Sequence, residues 1–137
     1  MLILALISTV GLLIWMGFFM LGSLPLLILK HDTPLDARFI RGLFNVYYTA
    51  ILAIAVVGAF SYALAGRPDL AAPVGCIAAM GFVGRTWFVA RMDAVRNAMT
   101  AEDAAGIRRF RLLHIAGMVL NVVVLAAFCV GMTKVSL

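Results

Sequence analysis

The stretch LILALISTVGLLIWMGFFMLGSLPLLIL, residues 2–29, holds 28 consecutive positions without one charged side chain. A helix needs about 20 apolar residues to cross roughly 30 Å of hydrocarbon. This run therefore reads as a membrane span. It lacks a positively charged lead and an obvious small-residue cleavage site, so it is expected to be a retained helix rather than a signal peptide.

Three further runs meet the same length: residues 42–64, 70–90 and 112–132. The chain has 137 residues, 65% of them hydrophobic and 12% charged. Soluble domains run at roughly half apolar and a quarter charged, and a core this small cannot hide the excess. The expected fold is an all-α integral membrane four-helix bundle forming one domain over residues 1–137.

The connections carry helix punctuation. In HDTPLDARF, Thr33 can cap a helix that starts at Pro34, where a missing N–H costs nothing. In AGRPDL, Gly66 can end the second helix, Pro68 prevents its continuation, and Asp69 is a plausible cap for the third. In TAEDAAG, Thr100 followed by Asp103 resembles a capping box. The third and fourth helices should then form a long hairpin reaching past the bilayer.

Net charge is +5 from eleven basic and six acidic residues. The basic residues sit at the ends of the apolar runs, where they anchor helices and set orientation. That placement, with no recognition module, argues against nucleic acid. Lys30, Arg38 and Arg41 flank the first loop, and Arg91, Arg96, Arg108, Arg109 and Arg111 the third; the second loop has only Arg67 and the tail only Lys134. By the positive-inside rule, loops one and three are cytoplasmic and both termini non-cytoplasmic. A bacterial cytoplasmic membrane is the expected location. Trp87 sits where an interfacial aromatic would.

Polar groups inside spans need partners and are functional candidates by default. On the fourth helix His114 and Asn121 are seven apart, about 10 Å at 1.5 Å per residue, and share a face with Gly117, Phe110 and Phe128. On the second helix Arg41, Asn45 and Tyr48 share a face flanked by Tyr47 and Thr49. Arg85 lies inside the third span. Together His114, Asn121, Arg85, Tyr48, Asn45 and Arg41 suggest a polar cavity open to the cytoplasm, in which His114 and Tyr48 hydrogen-bond a head group, Arg85 supplies charge and Asn121 orients it. For each, a structural reading competes: interhelical hydrogen bonds for His114 and Asn121, interfacial placement for the tyrosines, snorkelling or topology for the arginines. Ser23 and Pro25 close the first helix, and Pro25 should kink it. Glycines 11, 17, 22, 75, 81 and 84 and alanines 55, 59 and 79 are expected to let helices approach closely. Cys76 and Cys129 read as small packing residues with no metal-ligand spacing, and a disulfide between them is conceivable.

No span contains an acidic residue, which argues against a carboxylate-based proton pump or cation carrier. His31 belongs to a loop, so a haem could find only a single axial ligand, His114. No HExxH, GxSxG or phosphate-loop pattern occurs.

RRFRLLHIAGMVLNVVVLAA (residues 108–127), GFFMLGSLPLLI (17–28) and GLFNVYYTAI (42–51) resemble the last, first and second helices of the small four-span membrane family typified by transmembrane protein 205. The anthrone-oxygenase-like membrane family has a similar four-helix layout. The resemblance implies fold and topology but no reaction. Membrane protoporphyrinogen oxidases have similar length but carry a histidine in their first helix, and this one has none. Two functional expectations follow. One is an accessory or assembly subunit packing in a homo-oligomer or larger membrane complex amid membrane lipids. The other is a protein binding a hydrophobic small molecule (quinone, haem or lipid), or a membrane oxidoreductase, at the cytoplasmic-side cavity.

Overall fold

A computed structural model describes residues 1–28, 34–100 and 103–133. It is all-α. Helix α1 spans Leu2–Leu26 and α2 spans Pro34–Leu64. Helix α3 runs Pro68–Ala98, in three parts: α-helical Pro68–Val83, a π-helical turn Gly84–Phe88, and α-helical Val89–Ala98. Helix α4 spans Ala104–Thr133. All four are long and apolar enough to cross a membrane.

The punctuation works much as its chemistry suggests, with two corrections. Gly66 takes the left-handed conformation, φ 73°, that favours glycine after a helix. Pro68 occupies the first turn of α3, so the cap position falls to Arg67, and no side-chain cap bond forms there. Asp69, expected as the cap, instead lies in the first turn and accepts from Arg67 Nε and Nη2 at 3.2 and 3.1 Å. At the next boundary Met99 is extended, which ends α3. Asp103 is the cap of α4: its Oδ1 accepts from the Gly106 N–H at 2.9 Å, the role expected of Thr100. Pro25 sits in the last turn of α1, which closes with Leu27 N–H bonded to Leu24 O at 3.1 Å and Ile28 N–H to Pro25 O at 3.2 Å. Leu29, Lys30, His31, the Thr33 cap and Lys134 lie outside the described residues.

Each helix buries a stripe at three- and four-residue spacing. On α1 it runs Ala5, Thr9, Leu12, Met16, Phe19, Ser23. On α2 it runs Ala37, Ile40, Phe44, Tyr48, Ile51, Ala55, Tyr62. On α3, Leu70, Val74, Ile77, Gly81, Gly84, Phe88 and Met92 continue the stripe through the π turn. On α4, Gly106, Phe110, His114, Gly117, Asn121 and Phe128 face inward. The other faces expose Ile3, Ile7, Ile14, Phe60, Phe82, Val123 and their like, which suits lipid rather than water.

In lipid, water exclusion does not drive helices together; close packing and hydrogen bonds do. Gly81 is such a contact: a Cβ there would lie 3.0 Å from the Leu52 backbone nitrogen of α2. Gly58 meets α1 in the same way, 3.0 Å from Ser8 Cβ. By contrast, Gly17, Gly22 and Gly75 have nothing within 4 Å of an added Cβ, so these glycines do not mediate helix contacts within the chain.

Candidate functional site

The polar residues of the spans separate into two buried centres and an ion pair. The first centre joins three helices. Tyr47 on α2 donates its hydroxyl to Asn121 Oδ1 on α4. Asn121 Nδ2 in turn donates to the Met16 carbonyl of α1 at 3.2 Å. Both ends of the amide are thus used. Asn121 is 1% exposed, Tyr47 2% and His114 0%.

Aromatic rings fill the space around these bonds. Phe19 stacks on Tyr47 with centroids 3.9 Å apart and meets Phe44 edge-on at 5.0 Å. Phe44 lies parallel to Phe88 at 6.0 Å and edge-to-face with His114 at 5.6 Å, 81°. Gly117 exists to admit Phe44, because an added methyl would overlap the Phe44 ring. Gly84 admits the Tyr48 ring for the same reason, at the first residue of the π turn. Such turns are uncommon and mark places where a helix accommodates something; here it is a tyrosine ring.

The expected polar cavity is therefore a filled aromatic core. His114, Asn121 and Tyr48 do converge, but onto packed side chains. His114 is fully buried, with the Phe44 ring edge-to-face against it. Arg85 does not join them: it is exposed on the outward face of the π turn. Asn45 is half-buried, and the inward position expected of it belongs to Phe44. Its carbonyl accepts from Thr49 Oγ1 at 2.7 Å. Tyr47, read only as flanking, supplies the interhelical bond. The sequence carries its signal: Tyr47 precedes Ile51 by four and follows Phe44 by three, which sets it on the buried stripe.

Arg41 is half-exposed and engaged with Asp93 of α3. Its Nε donates at 2.9 Å to Oδ1 and 3.1 Å to Oδ2, and Nη2 donates to Oδ2 at 2.8 Å. Arg96 lies 3.6 Å from the same carboxylate. A forked arginine–carboxylate contact fixes geometry well, though a partly exposed pair adds at most about 1 kcal/mol. It ties α2 to the end of α3. Arg111 Nη2 reaches the Leu27 carbonyl at 3.4 Å, linking α4 to the end of α1.

The second buried centre lies toward the α2–α3 loop. Thr9 Oγ1 and Tyr62 OH share a hydrogen bond of 2.8 Å between α1 and α2, and Thr9 also donates to Ala5 O. Next to it, α3 and α4 part, leaving a cleft of about 550 Å³. A smaller apolar cleft of about 290 Å³ lies between α1 and α4, near Leu24 and Val119. Cys76 and Cys129 are free, exposed thiols and form no disulfide. Among the described residues no three His, Cys, Asp or Glu side chains gather as a metal site. Ser23 Oγ and Trp15 Nε1 are buried polar atoms without a hydrogen-bond partner among the described residues.

Compared with family models, with curated proteins and with solved structures, the chain finds no match.

Proposed function

We propose that this chain is a non-catalytic subunit of a bacterial cytoplasmic membrane, which assembles with copies of itself or with other membrane subunits. In this reading its arginine-rich end faces the cytoplasm and both termini face outward. One observation carries the first half of the reading: the span residues that would serve chemistry are used as interhelical glue inside a filled core. Asn121 has both amide ends engaged, and His114 is walled by Phe44. The assembly half is supported by α4. In its most apolar window 22% of residues are buried, against 33% for each of the other three helices. Its outward face is a row of Leu112, Val119 and Val130, with the exposed thiol of Cys129 about a quarter turn away.

The test is the mass of the intact particle, extracted from its own membrane in native nanodiscs. A single stoichiometric assembly, of this chain alone or with a partner, is expected, and Cys129 on neighbouring copies should cross-link if α4 forms the copy-to-copy contact. A lone monomer at every expression level, with no co-extracted subunit, overturns the proposal.

A further inference from the structure

The cleft between α3 and α4 has a shape and a mouth that specify an occupant. The two helices are held together at the arginine-rich end. There Phe88 lies 3.3 Å from where a Cβ on Gly117 would sit, and Met99 crowds Gly106. Toward the α2–α3 loop they separate. Leu70, Val74 and Ile77 form one wall, Val123 and Ala127 the other, and Tyr62 of α2 lines the same space. Gly131 leaves the upper part open, with nothing within 4 Å of an added Cβ.

The length of the cleft and the charges at its mouth point to one occupant. The lining runs from Leu70 to Met80 on α3 and from Val123 to Met132 on α4, which is about 15 Å at 1.5 Å per residue. That is half of a hydrocarbon core of roughly 30 Å, the depth of one leaflet. An acyl chain entering from the α2–α3 loop end would run the length of this apolar groove.

The mouth carries a side-by-side pair of opposite charges. Arg67 and Asp69 bond to each other at the loop end of the cleft, and both line it. The Asp69 side chain is 58% exposed, so its oxygens can take a further donor. A head group with a phosphate and a primary ammonium presents the complementary pair: phosphate to Arg67, ammonium to Asp69.

We propose that this cleft is a specific site for one phospholipid of the leaflet on the α2–α3 loop side, with an acyl chain along Pro73, Met80 and Ala127 and a phosphate–ammonium head group on Arg67 and Asp69. The site does not depend on the assembly reading. It stands or falls whether the chain is a monomer or an oligomer.

The test uses the full chain, stripped of lipid and offered an equimolar mixture of phosphatidylethanolamine, phosphatidylcholine and phosphatidylglycerol with identical chains. Bound lipid is counted by native mass spectrometry. One retained molecule is expected, with the ethanolamine lipid favoured roughly fivefold, the scale of the single exposed ammonium–carboxylate contact by which these three phosphate-bearing lipids differ. Asp69→Asn should erase the preference for the ammonium and keep the chain. Ala127→Phe, which fills the cleft without touching the Asn121 stripe, should abolish retention. Gly131→Leu provides the same test from a position with open space, should the first variant fail to fold. Equal retention of the three lipids, or unchanged retention in the folded filling variant, overturns the proposal.

Discussion

If Tyr47 and Asn121 are structural glue, their bond has a measurable coupling energy. Tyr47→Phe leaves Asn121 Oδ1 without its donor, and Asn121→Leu leaves the Tyr47 hydroxyl without its acceptor while also releasing the Met16 carbonyl. Both groups are at most 2% exposed, so water does not restore the lost bond. Each single substitution should destabilise by about 1–2 kcal/mol, the cost of a buried polar group left unpaired. The double variant replaces both partners with apolar groups and leaves neither orphaned. It should therefore be less damaged than the two singles combined, by about 0.6–1.7 kcal/mol, the range measured for interhelical bonds in membranes. That is roughly a 3- to 20-fold difference in the folding equilibrium, since about 1.4 kcal/mol is tenfold. Unfolding of the purified chain by sodium dodecyl sulfate in mixed micelles, read by the fluorescence of Trp15 and Trp87, gives all four free energies. A coupling of zero, with both singles as stable as the parent, would refute the assignment of these residues to the fold and return them to the pool of ligand-binding candidates.

Two further predictions use features that distinguish one position from its neighbours. Gly84→Ala and Gly117→Ala drive a methyl into Tyr48 and Phe44 and should each destabilise by about 1–3 kcal/mol in the same assay, whereas Gly17→Ala and Gly75→Ala meet open space and should be neutral or stabilising by about 0.5–1 kcal/mol; equal effects in the two groups would contradict the packing described. In a chain carrying Cys76→Ser and Cys129→Ser, Arg67→Cys should react with a membrane-impermeant maleimide on intact cells, and Thr100→Cys only after permeabilisation. Labelling of both from one side would rule out the four-span arrangement.

Much of the architecture was legible because it rests on local physics. The absence of charge across residues 2–29 gives a helix long and apolar enough to cross a membrane, Gly66 and Pro68 demand a break, and the seven-residue interval from His114 to Asn121 places both on one face whatever they touch. The π turn was not legible, and neither was the approach of Tyr48 to Gly84 at its first residue, which is a contact between helices. The candidate site was half legible. Periodicity identifies which face of α2 turns inward only to within one residue, and that residue decides between Asn45 and Phe44. Arg85 lay inside a span by count, but depth does not say which way a side chain points. Asp93 falls beyond the apolar run, and only the geometry of the α2–α3 pairing brings it to Arg41.

The two ends of the bundle therefore answer different demands. In a bilayer a buried asparagine or histidine attracts suspicion of chemistry, because nothing in lipid tolerates it unpartnered. The same intolerance makes it good glue, since the penalty for an orphaned amide holds Met16, Tyr47 and Asn121 in one register. Where that glue and the Arg41–Asp93 pair operate, α2, α3 and α4 close around rings, and His114 and Asn121 are buried among them. Toward the α2–α3 loop the only described interhelical side-chain bond is Thr9 to Tyr62, between α1 and α2. There α3 and α4 part around the cleft. The larger of the two described clefts lies at that end, and the smaller lies between α1 and α4 near Leu24. Ligand recognition by this chain is accordingly to be sought between Leu70 and Ala127 rather than at the histidine that first draws the eye.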